Sequence, residues 1–213
     1  MRIRITFTKQ GALRYIGHLD LHKLWERAAR RAGLPLAYSQ GFHPQPKINM
    51  AAALPLGFSS RGEVMDMKLE REISLDGLVD QLNATLPSGI RVLHVEQVDE
   101  HAPALQTQVV SAEYEVTLTE SVDGPELKRK IDSVITTASI PRERRGKTYD
   151  LRPLIEEISL LPPREGEESK TRIYMKLAAR EGATGRPDEV LSVLGIPFEE
   201  TRIERVRLIF KSS

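Results

Sequence analysis

Lys23, Arg27, Arg30 and Arg31 fall at i, i+4, i+7 and i+8 of one predicted helix, on the face opposite Leu21, Leu24 and Ala28. A basic stripe of this kind can follow a phosphate backbone, because each cation that neutralises a phosphate releases counterions. Within the helix Glu26 offers some compensation. Just upstream, "YIGHLDLHK" (15–23) sets His18 beside Asp20 with Tyr15 before it. A histidine so placed, with a tyrosine and a lysine nearby, could cleave RNA without metal by general acid–base chemistry. His18 and His22 could also share a metal at i, i+4, while a local hydrogen bond from His18 to the helix cap is the plainer reading.

The stretch "LPLAYSQGFHPQPKINMAAALPLGFSSRGE" (34–63) is too broken for a helix. Pro44 and Pro46 restrict themselves and the residues before them to an extended course. Gly41 permits a positive φ. The product is a stiff ridge carrying Phe42, His43, Gln45 and Lys47. An aromatic face there can stack on an unpaired base, and Lys47 can meet a phosphate. Phe42 is open to two readings, core plug or stacking platform. A second basic cluster, "PRERRGKTYDLRP" (141–153), brings Arg142, Arg144 and Arg145 to a turn at Gly146 and could extend an RNA track. Phosphate-binding loops, dinucleotide fingerprints, nucleophile elbows and metalloprotease helices are all absent from the sequence, so no cofactor or metal is expected.

These residues need elements to hold them. Residues 2–9 alternate as a strand with Ile3, Ile5 and Phe7 on one face. Asp20 stands where a helix cap belongs; Leu21, Leu24, Trp25, Ala28 and Ala32 form the buried stripe, and Gly33 and Pro35 stop the helix. Short strands are expected near 36–38 and 48–53, a strand over 63–70, a helix capped by Ser74 and ended by "PSG" at 87–89, and a strand over 90–98. The order is β-α-β-β-α-β. It recurs after a linker: a strand over 112–120, a helix over 124–138, strands over 148–161 and 171–178, a helix over 186–195 and a strand over 198–210. The expected fold is α+β, two tandem ferredoxin-like (βαββαβ) units over 1–98 and 111–213 with a linker at 99–110.

Composition narrows the function further. Residues 1–60 hold nine Lys/Arg against Asp20 and Glu26, a net +7 in a chain whose total is +1. A localised basic face suggests an anionic partner, nucleic acid first. The chain has no cysteine, which removes disulfides, thiolate zinc and iron–sulfur ligation. No apolar run approaches the roughly 20 residues of a membrane span, and the start reads as a strand rather than a signal peptide, so a cytoplasmic protein is expected.

The words "RYIGHLDL", "RAARRAGLPLAYSQGFHPQPKI" and "LPLGFSSRGE" occur in order across residues 2–70, and there the chain closely resembles the radical SAM-linked domain family, a bacterial group of unknown function. The resemblance implies a partner: members are encoded beside, or fused to, a radical SAM protein, whose cluster must belong to that partner because this chain lacks cysteine. It carries no catalytic residue across. A remoter likeness, to the repeat-processing RNA endonucleases of CRISPR systems, rests on an early histidine and a Gly-aromatic loop. That family's C-terminal glycine-rich loop is missing from "ERVRLIF" (204–210). The leading expectation is an accessory protein that binds structured RNA, tRNA or rRNA, for a radical SAM enzyme. A metal-independent ribonuclease using His18, and a pure docking module for the partner, are the alternatives.

Overall fold

In the computed structural model, residues 1–144, 146–166 and 170–211 are described. The chain divides into two compact units, Met1–Val109 and a second from Val110 onward.

The first unit contains β1 (Arg2–Lys9), α1 (His18–Arg31), β2 (Ile48–Met50), β3 (Ser59–Lys68), α2 (Leu78–Asn83), β4 (Ile90–Val98) and α3 (Leu105–Gln108). Its strands lie in the order β2-β3-β1-β4, and each of the three pairs is antiparallel. The alternation in β1 turns Ile3, Ile5 and Phe7 to the core, where Trp25, Leu21, Leu78 and Leu82 close over them. Phe7 and Trp25 meet edge to face with ring centroids 4.8 Å apart. The opposite face of the sheet is ionic. There Asp66 on β3 accepts from Arg2 Nε at 3.0 Å and from Arg4 Nε at 2.8 Å.

The second unit runs β5 (Val109–Leu118), α4 (Gly124–Thr136), a hairpin of β6 (Pro141–Arg144) and β7 (Lys147–Asp150), then β8 (Ile155–Leu161), β9 (Arg172–Arg180), β10 (Ala183–Thr184), α5 (Pro187–Leu194) and β11 (Thr201–Phe210). Within it β9 pairs with β8, β10 and β5, and β5 lies beside β11. Ala112, Val116, Ile173, Met175 and Leu177 face inward and are buried with Leu127, Ile131, Val190 and Leu191 of the helices. Both units are α+β, with largely antiparallel sheets.

Several expected boundaries shift for local reasons. Gly17, not Asp20, caps α1: Leu21 N–H donates to the Gly17 carbonyl at 3.0 Å, and Asp20 sits in the first turn, where its charge suits the helix dipole. Ser74 caps nothing. Its hydroxyl donates to Asp76 at 3.0 Å and accepts the Asp76 N–H at 3.1 Å, a local turn that delays α2 until Leu78, after Gly77. Residues 36–38 make only isolated bridges, Leu36 to Leu69 and Tyr38 to Pro46. The strand expected over 148–161 breaks at a tight turn, where Asp150 accepts from the backbone of Ile140 and Arg152. Residues 99–110, expected as a linker, are packed instead. They hold α3 and the first residues of β5, Leu105 is buried, and Arg2 donates to the carbonyls of Ala102 and Pro103.

Candidate functional site

The packing of α1 decides which of its cations act together. Leu21, Trp25, Ala28 and Ala29 are buried, and Leu24 is only partly so. Leu24 forms part of a groove of about 550 Å³, whose one wall carries Asp20, Lys23, Arg27 and Arg31. The other wall is Thr85, Leu86 and Pro87, and Ile16 completes the lining. That volume lies within the roughly 300–1,000 Å³ of small-ligand clefts.

The second wall runs antiparallel to α1 and is pinned at both ends. Thr85 Oγ1 donates to the Ala28 carbonyl at 3.2 Å, and its own carbonyl accepts from Arg31 at 3.5 Å. Two residues past Pro87, the Gly89 carbonyl accepts from Gln10 N–H at 2.7 Å. Gly89 has φ +102°, and a Cβ there would lie 2.7 Å from the Gln10 carbonyl, so the close approach requires glycine. Among the described residues no carboxylate lies within ion-pair distance of Lys23 or Arg27. Three like charges one helical turn apart on a concave wall reinforce one another's field, and low-dielectric walls focus it.

Arg30 is on another flank. It lies 4.0 Å from Glu26, which also accepts from the Tyr38 hydroxyl at 3.1 Å. The proline-rich stretch is therefore moored on the Glu26 side of α1 rather than at the groove. Its tip, residues 39–45, is closed by Ser39 N–H donating to the Gln45 carbonyl at 2.8 Å and Gln45 N–H donating to Ser39 Oγ at 2.9 Å. Gly41 takes φ +123°. Phe42 is fully exposed, His43 and Lys47 are exposed beside it, and the core-plug reading of Phe42 is excluded.

The remaining candidates scatter. His18 is exposed and meets His22 edge to face at 4.6 Å; burial first, then the His18 charge, holds the His22 pKa below its ordinary value. Arg14 stacks on the exposed Tyr15 ring, 4.7 Å from its centroid. In the second unit Arg142 is committed to Glu189 at 2.9 Å and Ser192 at 3.0 Å. Arg144 is exposed at the end of β6, and Arg145 lies outside the described residues. No group of three or more His, Asp or Glu among the described residues is arranged to hold a metal ion. No helix there is long and apolar enough to cross a membrane.

The fold and this groove define an α+β protein with a cation-walled cleft on its first unit. The chain belongs to a family described as an uncharacterized protein conserved in bacteria (DUF2344), which matches residues 2–187. No curated protein matches it. In fold it is similar to a chain in the crystal structure of a Cbf5–Nop10–Gar1 complex, with TM-score 0.53 and 11% identity over 99% of this chain and 50% of that one. The chain thus spans half the length of that neighbour, and the likeness is one of fold.

Proposed function

We propose that this protein binds structured RNA, tRNA or rRNA, and presents it to a radical SAM partner that carries the redox chemistry. The observation that carries the reading is the alignment of Lys23, Arg27 and Arg31 along one wall of the groove, with no carboxylate paired to Lys23 or Arg27 among the described residues. Residues four apart on a helix are about 6 Å apart along its axis, a spacing that lets successive cations meet successive phosphates. The exposed ring of Phe42, with His43 and Lys47, supplies a stacking surface on the same unit. We read each unit as ferredoxin-like, on the strength of its strand order. Proteins that read RNA on such a sheet present aromatic side chains on the open face. Here the sheet face of the first unit that lies away from its helices is taken up by the ion pairs of Arg2 and Arg4 with Asp66, Arg2 and Asp66 being buried, which favours the helix side. The radical SAM partner rests on the resemblance over residues 2–70 and on the missing cysteines.

The test is fluorescence anisotropy of labelled structured RNA titrated with the protein across a salt series. The wild type should lose affinity steeply with salt, on the order of 0.7–0.9 log unit per phosphate contact per decade. The triple variant Lys23→Glu, Arg27→Glu, Arg31→Glu should bind at least about tenfold more weakly at low salt, with its slope reduced by about 2. An unchanged slope in that variant would sink the proposal.

A further inference from the structure

The groove is graded along its length. Arg27 and Arg31 stand at the end where Thr85 bonds back to α1. Asp20 and Ile16 stand at the other, toward Pro87, with Lys23 and Leu24 between. Asp20 and Arg31 are eleven residues apart, about 16 Å along the helix axis. A track for phosphates alone needs neither a carboxylate nor an apolar floor. Asp20 suits the dipole of α1 at its first turn. At the same place it gives the groove an exposed acceptor that a phosphate track would leave unused and that a ligand with donors as well as negative charge would engage. Leu24, Leu86, Pro87 and Ile16 supply a surface on which a flat ring can lie.

We propose that this groove takes one unpaired nucleotide, its phosphate between Arg27 and Arg31, its nucleoside against Leu86, Pro87 and Ile16, and a nucleoside N–H or O–H donating to Asp20. This rests on the RNA-binding reading and specifies what the groove holds. Lys23, midway, is left for the neighbouring phosphate of the strand. The donor to a carboxylate is either an exocyclic amine, as when an acid accepts from cytosine N4, or a ribose hydroxyl, the group through which proteins tell RNA from DNA.

Amide NMR titrations of the full chain test it with small probes: adenosine 5′-monophosphate, adenosine, inorganic phosphate, purine riboside 5′-monophosphate and 2′-deoxyadenosine 5′-monophosphate. Adenosine 5′-monophosphate should shift Ile16, Asp20, Lys23, Arg27 and Thr85–Leu86, and bind about tenfold more tightly than adenosine or phosphate. Asp20→Ala should weaken the nucleotide about tenfold and leave inorganic phosphate unchanged. Arg27→Gln with Arg31→Gln should weaken both. Weaker binding of the purine riboside nucleotide, which lacks only the amine, assigns the donor to the base, and weaker binding of the deoxynucleotide assigns it to the ribose. If phosphate binds as well as the nucleotide, or Asp20→Ala changes nothing, the nucleoside site is overturned while a steep RNA salt slope still stands. Nucleotide binding with a flat RNA salt slope would instead keep the site and remove the RNA reading.

Discussion

His22 lies half-buried on α1, one helical turn from the exposed His18. Its pKa is held below the ordinary 6.5 by burial and by the neighbouring His18 charge. A folded-state pKa below the unfolded one means that the unfolded chain takes up the proton first as pH falls. His22 therefore leaves stability intact above about pH 6.5 and erodes it progressively as pH drops through that value toward the lower folded pKa. Thermal melts at pH 7.5 and pH 5.5 should show the wild type losing more stability on acidification than His22→Asn; equal losses would exclude His22 as the source. Arg142 argues a different point. Its side chain is spent on Glu189 and Ser192, so Arg142→Ala should destabilise the second unit by about 1 kcal/mol and leave RNA affinity within about twofold, measured by melting and anisotropy in parallel. A basic residue in a basic run reads as available until its partner is seen. The run at 141–147 gave no sign of Glu189, more than forty residues on.

The element that makes the groove is the turn after α2, and its legibility was uneven. The cations of α1 were readable, because helical spacing alone puts Lys23, Arg27 and Arg31 on one side. Helical spacing groups Arg30 with them as well, because nothing local says that Tyr38 will hold Glu26 in place beside it. Thr85, Leu86 and Pro87 read only as the end of a helix. Their role as a wall depends on contacts to Ala28 and, through Gly89, to Gln10, which lie 57 and 79 residues away in the chain. Phe42 poses a related problem: composition does not say whether a proline-stiffened ridge points in or out, and the ring is exposed. The glycine at 89 makes this testable. Gly89→Ala would force a Cβ to 2.7 Å from the Gln10 carbonyl and 3.3 Å from Leu13 at φ +102°. It should cost about 2–4 kcal/mol and displace the groove wall, seen as a lower melting temperature together with weaker RNA binding. A variant that melted normally would mean that the turn tolerates the shift.

At the scale of the whole chain, the charge balance of +7 in residues 1–60 overstates what an RNA would meet. Arg2 and Arg4 are paired with Asp66, a residue just outside that window. Lys9 is buried and directed at the Ile16 carbonyl, 3.3 Å away, and Arg30 is shared with Glu26. Folding thus sorts one linear block of cations into a structural set and a solvent-facing set, and the two should separate by experiment. Arg2→Met removes a charge from a buried network, leaving Asp66 with one guanidinium fewer. It should lower stability by about 3 kcal/mol and leave the RNA salt slope as it is. Charge reversal at Lys23 and Arg27, neither of which bonds to the groove wall, should do the converse, flattening the slope with little change in melting temperature. The two readouts on two variants form a crossed design. If Arg2→Met flattened the slope as much as a single groove substitution, the attraction would come from the summed field of the unit rather than from contacts in the groove, and the wall formed by α1 would lose its special status.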